Sequence, residues 1–246
     1  MPSESASILP DHQSRKWEVI MGDCEHVMLD LPGESVDLCI TDPPYGSKYL
    51  DCYRKLRSVS RLLKPGGSLL VLTGQVCFLQ IAQILSASPA LRYHWLCSAQ
   101  MDPDSTHSQI RSHRVSVGHK PILWYVKGKY NGPYVRDALP LGVNIQKVNH
   151  IWEQPLDWTN YYIDKLTRPG DLVLDPFAGS GSTGLSALSL DRRFLGIELG
   201  KKHVIVAQKR LADEQTKLAE LNGSRRFLQQ DKHIYDSNHG WPYRNR

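Results

Sequence analysis

At 246 residues with 41% apolar side chains, the chain can bury a full hydrophobic core as one unit. No stretch approaches the roughly 20 apolar residues a membrane helix needs, and Met1–Lys16 lacks the apolar centre of a signal peptide, so a cytoplasmic protein is expected. The net charge of +5 suits a polyanionic partner without requiring one, and five cysteines with no C-x-x-C pair support neither a zinc site nor a disulfide framework.

The polar stretch Met1–Ser14 reads as a loose arm, with residues 1–16 outside the folded body. A strand is expected over Val36–Thr41, and it stops at Asp42-Pro43-Pro44-Tyr45. Two prolines fix φ and remove two backbone donors, so that loop presents carbonyls to something other than the protein. A carboxylate before them and an aromatic ring after them suit a flat molecule bearing an amino group, which could donate to the acceptors and stack on the ring. The plain alternative is a Pro-Pro turn with Asp42 capping nearby N–H groups.

A basic helical stretch, Tyr49–Leu63, follows with Arg54, Lys55, Arg57 and Arg61. Lys64-Pro65-Gly66-Gly67 then turns into a strand over Ser68–Thr73, with further strands near Tyr93–Ala99 and Pro121–Val126. Helices are expected over Gln75–Ser86 and Thr159–Thr167. Between Met101 and Lys129 the cations and imidazoles His107, Arg111, His113, Arg114, His119 and Lys120 accumulate; such a loop can track phosphates or act as a solvated lid. Trp152 and Trp158 offer stacking surfaces, although a Trp is more often core. The scattered histidines lack ligand spacing, so no metal site is expected.

The second chemical signal is Val173-Leu174-Asp175-Pro176-Phe177-Ala178-Gly179-Ser180-Gly181-Ser182-Thr183-Gly184, a strand running into a Gly-rich turn and a helix near Leu185–Leu190. Gly179, Gly181 and Gly184 spell G-x-G-x-x-G, and Glu198 lies 19 residues after the first, at the end of the strand Phe194–Ile197. By rule this is a dinucleotide fingerprint. Asp175-Pro176-Phe177 argues otherwise, because it puts a carboxylate and a ring where a pyrophosphate would be repelled or crowded. These groups suit a cationic nucleoside: an ammonium for Asp175, a sulfonium near Phe177, and ribose hydroxyls for Glu198. S-adenosyl-L-methionine has all three.

Strands alternating with helices imply an α/β fold with a doubly wound, mostly parallel sheet, whose ligands lie beyond the carboxyl ends of the strands. His203–Leu221 reads as an amphipathic helix, and residues 222–246 as a polar basic tail with Arg225, Arg226, Arg244 and Arg246.

Asp42-Pro43-Pro44-Tyr45 followed by Asp175-Pro176-Phe177-Ala178-Gly179-Ser180-Gly181 resembles the amino-group DNA methyltransferases of the β arrangement, in which the catalytic motif precedes the cofactor motif. The resemblance runs from about Val19 to about Leu211 and includes Gly22-Asp23-Cys24, Ser35-Val36-Asp37-Leu38, Leu63-Lys64-Pro65-Gly66-Gly67 and Gly196-Ile197-Glu198-Leu199. It implies a single domain over residues 17–221 of the S-adenosylmethionine-dependent methyltransferase type, in a prokaryotic, phage or plasmid setting. Asp23 and Cys24 would sit beside the cofactor adenine, Phe177 and Gly179-Ser180-Gly181-Ser182 around its methionine end, and Glu198 on its ribose. Asp42 and the loop carbonyls of Pro43 and Pro44 would hold the target amine, with the base stacked on Tyr45.

Many members carry a His followed by Gln-Lys-Pro ahead of the Gly loop. His150-Ile151-Trp152-Glu153-Gln154-Pro155 lacks that lysine. The stretch from Tyr130 to Asn149, where members carry a sequence-reading insertion, is only 20 residues long, so residues 101–150 are expected to combine a lid with a short target reader.

The implied reaction is methyl transfer from S-adenosyl-L-methionine to the exocyclic amine of a flipped adenine (N6) in DNA. Cytosine N4 and RNA adenine are alternatives, and a homodimer is compatible with either. From other classes, a nicotinamide-dependent oxidoreductase would leave Asp-Pro-Pro-Tyr unexplained, and a silent DNA-binding module would not need Asp42, Phe177 and Glu198.

Overall fold

The computed structural model describes residues 9–10, 16–101, 109–140 and 158–238. The chain begins with β1 (Trp17–Met21), which leads through Asp23 into α1 (Cys24–Asp30). Asp23 takes the N-cap position because its Oδ1 accepts from the Glu25 backbone N–H at 2.9 Å, and the helix stops before Pro32. β2 (Val36–Thr41) follows, buried along almost its whole length. The basic stretch then folds as α2 (Leu50–Lys55) and α3 (Val59–Leu62), flanked by single 3-10 turns. β3 (Leu63–Leu72), α4 (Phe78–Ser86), β4 (Leu91–Gln100), the short β5 (Gln109–Ile110) and β6 (Val115–Ser116), β7 (His119–Lys127) and β8 (Ala138–Pro140) complete the first half. The second half comprises α5 (Trp158–Leu166), β9 (Leu172–Asp175), α6 (Ser182–Ser189), β10 (Arg193–Glu198) and α7 (Lys201–Asn238).

Among the described residues, eight strands form one sheet in the order β1-β10-β9-β2-β3-β7-β4-β8. The five strands from β1 to β3 are mutually parallel, whereas β7 runs antiparallel to both β3 and β4. The mostly parallel, doubly wound sheet read from the sequence is therefore present, with a reversed strand set into it. Helices cover both faces. Cys39, Leu69, Val71, Leu174 and Ile197 point to the side of α1, α2 and α4; Leu38, Ile40, Leu70 and Val173 point to α5, α6 and α7. Burial on both faces explains the continuous apolar runs of β2 and β9.

Several boundaries differ from the sequence reading. Leu9 packs on the core and the Pro10 carbonyl accepts from Arg193 Nη1 at 2.9 Å, so the described part of the N-terminal arm lies on the body. The helix expected to end at Leu221 continues to Asn238, because no Pro interrupts it and its one glycine, Gly223, only weakens a helix. Lys64-Pro65-Gly66-Gly67 bulges out between Val36↔Leu63 and Leu38↔Ser68, with Gly66 at φ +82°, so the continuous pairing starts at Ser68 as expected.

The chain direction sets the site. From β2 the chain moves to β3 on one side, and from β9 to β10 on the other, so β2 and β9 are neighbours at the point where winding reverses. Loops leaving two such strands diverge and open a crevice at their carboxyl ends.

Candidate functional site

Asp23, Glu198, Asp175, Asp42 and Thr73 lie just at or beyond the carboxyl ends of β1, β10, β9, β2 and β3, which are adjacent in that order. The sequence motifs therefore converge because their strands pair. Met21 is in register with Glu198, and the Gly22 N–H donates to the Glu198 carbonyl at 3.0 Å, which brings Asp23 beside the β10 end.

The Asp175 carboxyl is buried, and both of its oxygens are engaged. Its Oδ1 accepts from Thr41 Oγ1 at 2.6 Å and from the Phe177 N–H at 3.0 Å; its Oδ2 accepts from Thr183 Oγ1 at 2.7 Å. Burial pushes its pKa up to about 6, against the pull of these donors. An ammonium partner for Asp175 is thus not what the geometry offers: the side chain ties the end of β2 to the Gly loop and α6. Thr41 and Thr183, which make this tie, had no signal in the sequence beyond their positions beside the motifs.

The Gly loop divides its work. Gly179 (φ +52°) would meet nothing within 4 Å if it carried a Cβ, whereas a Cβ on Gly181 (φ +83°) would stand 3.1 Å from Ala207 Cβ on α7. At Gly184 a Cβ would be 2.6 Å from the Phe194 ring. Only Gly179 therefore faces open space; Gly181 and Gly184 let α6 and α7 approach the sheet. Arg210 on α7 clamps the loop, with Nη1 donating to the Ser180 carbonyl at 2.7 Å and to Ser180 Oγ at 2.8 Å, and standing 3.4 Å from Ser182 Oγ. Phe177 is half-buried against the α1–α2 side of the core.

Glu198 is fixed by two backbone donors, Gly179 N–H to Oε2 at 2.9 Å and Gly200 N–H to Oε1 at 2.7 Å, and His203 Nδ1 lies 3.6 Å from Oε1. Each oxygen keeps a further lone pair, which is what a vicinal diol requires. Asp23 is held by Lys55, whose Nζ lies 2.5 Å from Oδ2; that bond lowers the Asp23 pKa and raises that of Lys55. Cys24 is buried in the core at the start of α1, and burial pushes its thiol pKa up to about 12, so it contributes shape and not charge.

At the β2 end, Tyr45 OH donates to Asp42 Oδ1, and the Tyr45 Cβ lies against the backbone of Gly74. Burial and the Asp42 charge both hold the Tyr45 hydroxyl in its neutral form. Two hydroxyls nearby lack any hydrogen-bond partner among the described residues: Tyr53 OH and Thr73 Oγ1. Tyr53 is fully buried on α2 and feels the Asp42 charge, while Thr73 continues the Leu69, Val71 alternation on the same face. A buried hydroxyl without a partner is costly, so such a pair beneath a crevice fits a polar ligand. Sequence reading missed both.

Other predicted groups have different jobs. Arg61 donates to the carbonyls of Met28 and Leu31 at 2.5 and 2.8 Å, which caps α1. Trp158 rests against Tyr162 at 6.4 Å between ring centroids and is no free platform. Arg111 and Arg114 are exposed on the β5–β6 hairpin. Trp152, His107 and the stretch His150–Pro155 lie outside the described residues. Among the described residues no cluster of His, Cys, Asp or Glu could hold a metal, and no helix is long and apolar enough to cross a membrane.

A half-exposed carboxylate at one strand end, a Gly loop at the next and a backbone-held carboxylate beyond it are the arrangement expected of a nucleoside-cofactor-dependent transferase. Comparison with known proteins gives the particular family. The family model described as DNA methylase, of the N6/N4 type, matches residues 36–209, and the chain belongs to that family. It is similar to the DNA adenine methyltransferase YhdJ of Escherichia coli (strain K12), 26% identical and covering 78% of this chain and 82% of that one. Among solved structures, that of M1.HpyAVI in complex with S-adenosylmethionine is 26% identical with a TM-score of 0.60, covering 79% of this chain and 98% of the other. The cytosine-N4-specific PvuII DNA methyltransferase shares the fold at 17% identity, with a TM-score of 0.67 over 86% of this chain and 96% of its own. The protein is a DNA amino-methyltransferase with an S-adenosylmethionine-type fold, and its cofactor is S-adenosyl-L-methionine. The open side of Gly179, the oriented Glu198 and the unpartnered hydroxyls of Tyr53 and Thr73 fit that cofactor.

Proposed function

We propose that the target is the N6 amine of an adenine flipped out of duplex DNA, with Asp42 and the Pro43–Pro44 loop as its acceptors. The single observation that carries this reading is the position of Asp42: a half-exposed carboxylate at the end of β2, beside the winding reversal, next to an aromatic ring. The adenine choice is supported by the Asp at this place in the motif and by the similarity to the DNA adenine methyltransferase YhdJ, 26% identical.

Bound, the cofactor supplies a methyl group on an electron-poor sulfonium sulfur. The residues of the chain prepare the nucleophile. An exocyclic amine is weak because its lone pair is delocalised into the ring. Asp42 and a loop carbonyl accept its two N–H bonds, which favours a pyramidal nitrogen with its lone pair free. The nitrogen forms the new bond to carbon, the carbon–sulfur bond breaks with its electron pair left on sulfur, and the extra proton passes to Asp42 or to water. Negative charge on Asp42 stabilises the nitrogen as it becomes cationic. Orientation of the two reactants can be worth about 7–11 kcal/mol. Tyr45 provides the stacking face, offsetting the few kcal/mol that unstacking a base costs. Glu198 receives the ribose diol, Asp23 and Cys24 border the adenine, and Tyr53 and Thr73 receive the methionine end, where the chain lacks the family's lysine. Target reading is assigned to residues 101–150.

The test is to incubate the protein with labelled S-adenosyl-L-methionine and unmethylated duplex DNA, digest to nucleosides and identify the product by mass spectrometry, beside Asp42→Ala. N6-methyladenine that vanishes in the variant is the expected result. N4-methylcytosine would move the proposal to cytosine, and label only on single-stranded DNA or RNA would replace the duplex substrate.

A further inference from the structure

Because β7 runs against its neighbours, its first residues lie at the carboxyl ends of β2 and β3, where every other strand of the site ends. The Thr73 N–H donates to the Pro121 carbonyl at 3.0 Å, and Gln75 Nε2 donates to the His119 carbonyl at 2.9 Å, which fixes this start of β7 beside the catalytic loop. Lys120 sits between those anchors. Its Nζ is 3.7 Å from Asp42 Oδ2 and 5.3 Å from the centroid of the Tyr45 ring. With Tyr45 OH on Oδ1, both oxygens of Asp42 face a donor or a cation, and the Tyr45 face is shared with an ammonium.

This arrangement opposes the reaction just described. A target amine needs Asp42 as an acceptor, a base needs the Tyr45 face, and a nitrogen becoming cationic is disfavoured by an ammonium beside the stabilising carboxylate. The pair is nonetheless easy to part: at 3.7 Å it is longer than a hydrogen bond, the Lys120 side chain is 31% and the Asp42 side chain 45% exposed, and solvent-accessible ion pairs hold weakly. A DNA phosphate offers Lys120 an equivalent anion, and the basic β5–β6 hairpin, with Arg111 and Arg114, directly precedes β7.

We propose that Lys120 is a positioning residue that couples DNA engagement to the catalytic loop. Without DNA it rests on Asp42 Oδ2 and the Tyr45 ring; with DNA it moves to a backbone phosphate and leaves that oxygen and the ring face to the base. The inference rests on the DNA-amine reading of the site. It assigns Lys120 no contact with the reacting atoms.

The experiment compares wild type, Lys120→Ala and Lys120→Arg by DNA titration at several salt concentrations and by steady-state methyl transfer. Loss of one phosphate contact should lower the slope of log affinity against log salt by about 0.9 and weaken DNA binding roughly tenfold at low salt. KM for DNA should rise in Lys120→Ala while kcat stays within about twofold or increases, since the resting pair is gone. Lys120→Arg should restore the slope. An unchanged salt slope, or a fall in kcat with KM untouched, would overturn the coupling and leave Lys120 as a fixed partner of Asp42. If wild type itself transfers no methyl group to DNA, the site reading has failed and not this inference alone.

Discussion

Thr41 Oγ1 donates to Asp175 Oδ1 at 2.6 Å across the boundary between β2 and β9, joining the residue before Asp42-Pro43-Pro44-Tyr45 to the carboxylate that opens the Gly loop. Two motifs 134 positions apart in the chain are thereby held in one geometry. Thr183 on α6 holds the other oxygen, so one buried carboxyl ties the start of α6 to the residue that precedes Asp42.

Thr41→Val keeps the shape and removes that donor. A hydrogen bond to a charged group is worth roughly 1.5–3 kcal/mol, so the variant should unfold at a lower temperature by that amount of stability. Because Asp42 adjoins Thr41, kcat should fall by tenfold or more, while cofactor affinity, proposed to rest on Gly179 and Glu198 further along the sheet, should change less. Equal losses in both would show that Asp175 serves the cofactor loop alone.

The same carboxyl predicts how stability depends on pH. Its folded pKa, about 6, lies above the ordinary 3.8, so the folded state binds the proton more tightly than the unfolded chain does. The contribution is therefore most favourable below pH 3.8, declines as pH rises through 6, and beyond that leaves a buried charge costing about 3 kcal/mol. Asp175→Asn retains acceptors for Thr41 and Phe177 and removes the charge. Chemical denaturation from pH 4 to 7 should show the wild type losing stability relative to the variant across this window. Parallel profiles would mean Asp175 does not titrate there.

Much of this site was legible because chemistry demanded unusual residues in fixed order: Asp42-Pro43-Pro44-Tyr45 and Asp175-Pro176-Phe177 each mark a strand end, and alternating strands and helices imply that such ends share a crevice. What the sequence did not show depends on the third dimension. Nothing local to His119–Lys127 says that it runs antiparallel, yet that direction places Lys120 beside Asp42. Nor does the spelling of the Gly loop reveal which glycine faces a ligand and which faces a helix. Asp175 itself reads as a partner for an ammonium until the threonines that donate to its two oxygens, Thr41 and Thr183, are seen.

The two loop glycines should fail in different ways. Gly181→Val forces a β-branched residue into φ +83° and drives its Cβ toward Ala207, so the variant should lose at least about 2 kcal/mol of stability before any ligand is added. Gly179→Ala meets only the strain of φ +52°, about 1–2 kcal/mol, but projects a methyl group into the open side of the cradle. Calorimetric titration of S-adenosyl-L-methionine should show affinity reduced tenfold or more in Gly179→Ala. Unchanged affinity there would place the cofactor elsewhere.

Tyr53 and Thr73 give the sharpest test of where the methionine end binds. Each buries a hydroxyl that finds no partner among the described residues, an expense of about 1–3 kcal/mol to the cofactor-free protein. Tyr53→Phe and Thr73→Val remove the polar atom and keep most of the volume. Without cofactor, both variants should melt at the same temperature as wild type or a few degrees higher, since about 1 kcal/mol corresponds to roughly 2–4 °C for a domain of this size. With cofactor the order should reverse, because the wild-type hydroxyls gain partners that the variants cannot supply, and the ligand-induced rise in melting temperature should shrink in proportion to the lost affinity. Opposite signs in the two conditions are the signature of a hydroxyl kept for a ligand. A variant already destabilised without cofactor would show that its hydroxyl is satisfied within the protein, and the methionine end would then have to be sought nearer the Gly loop.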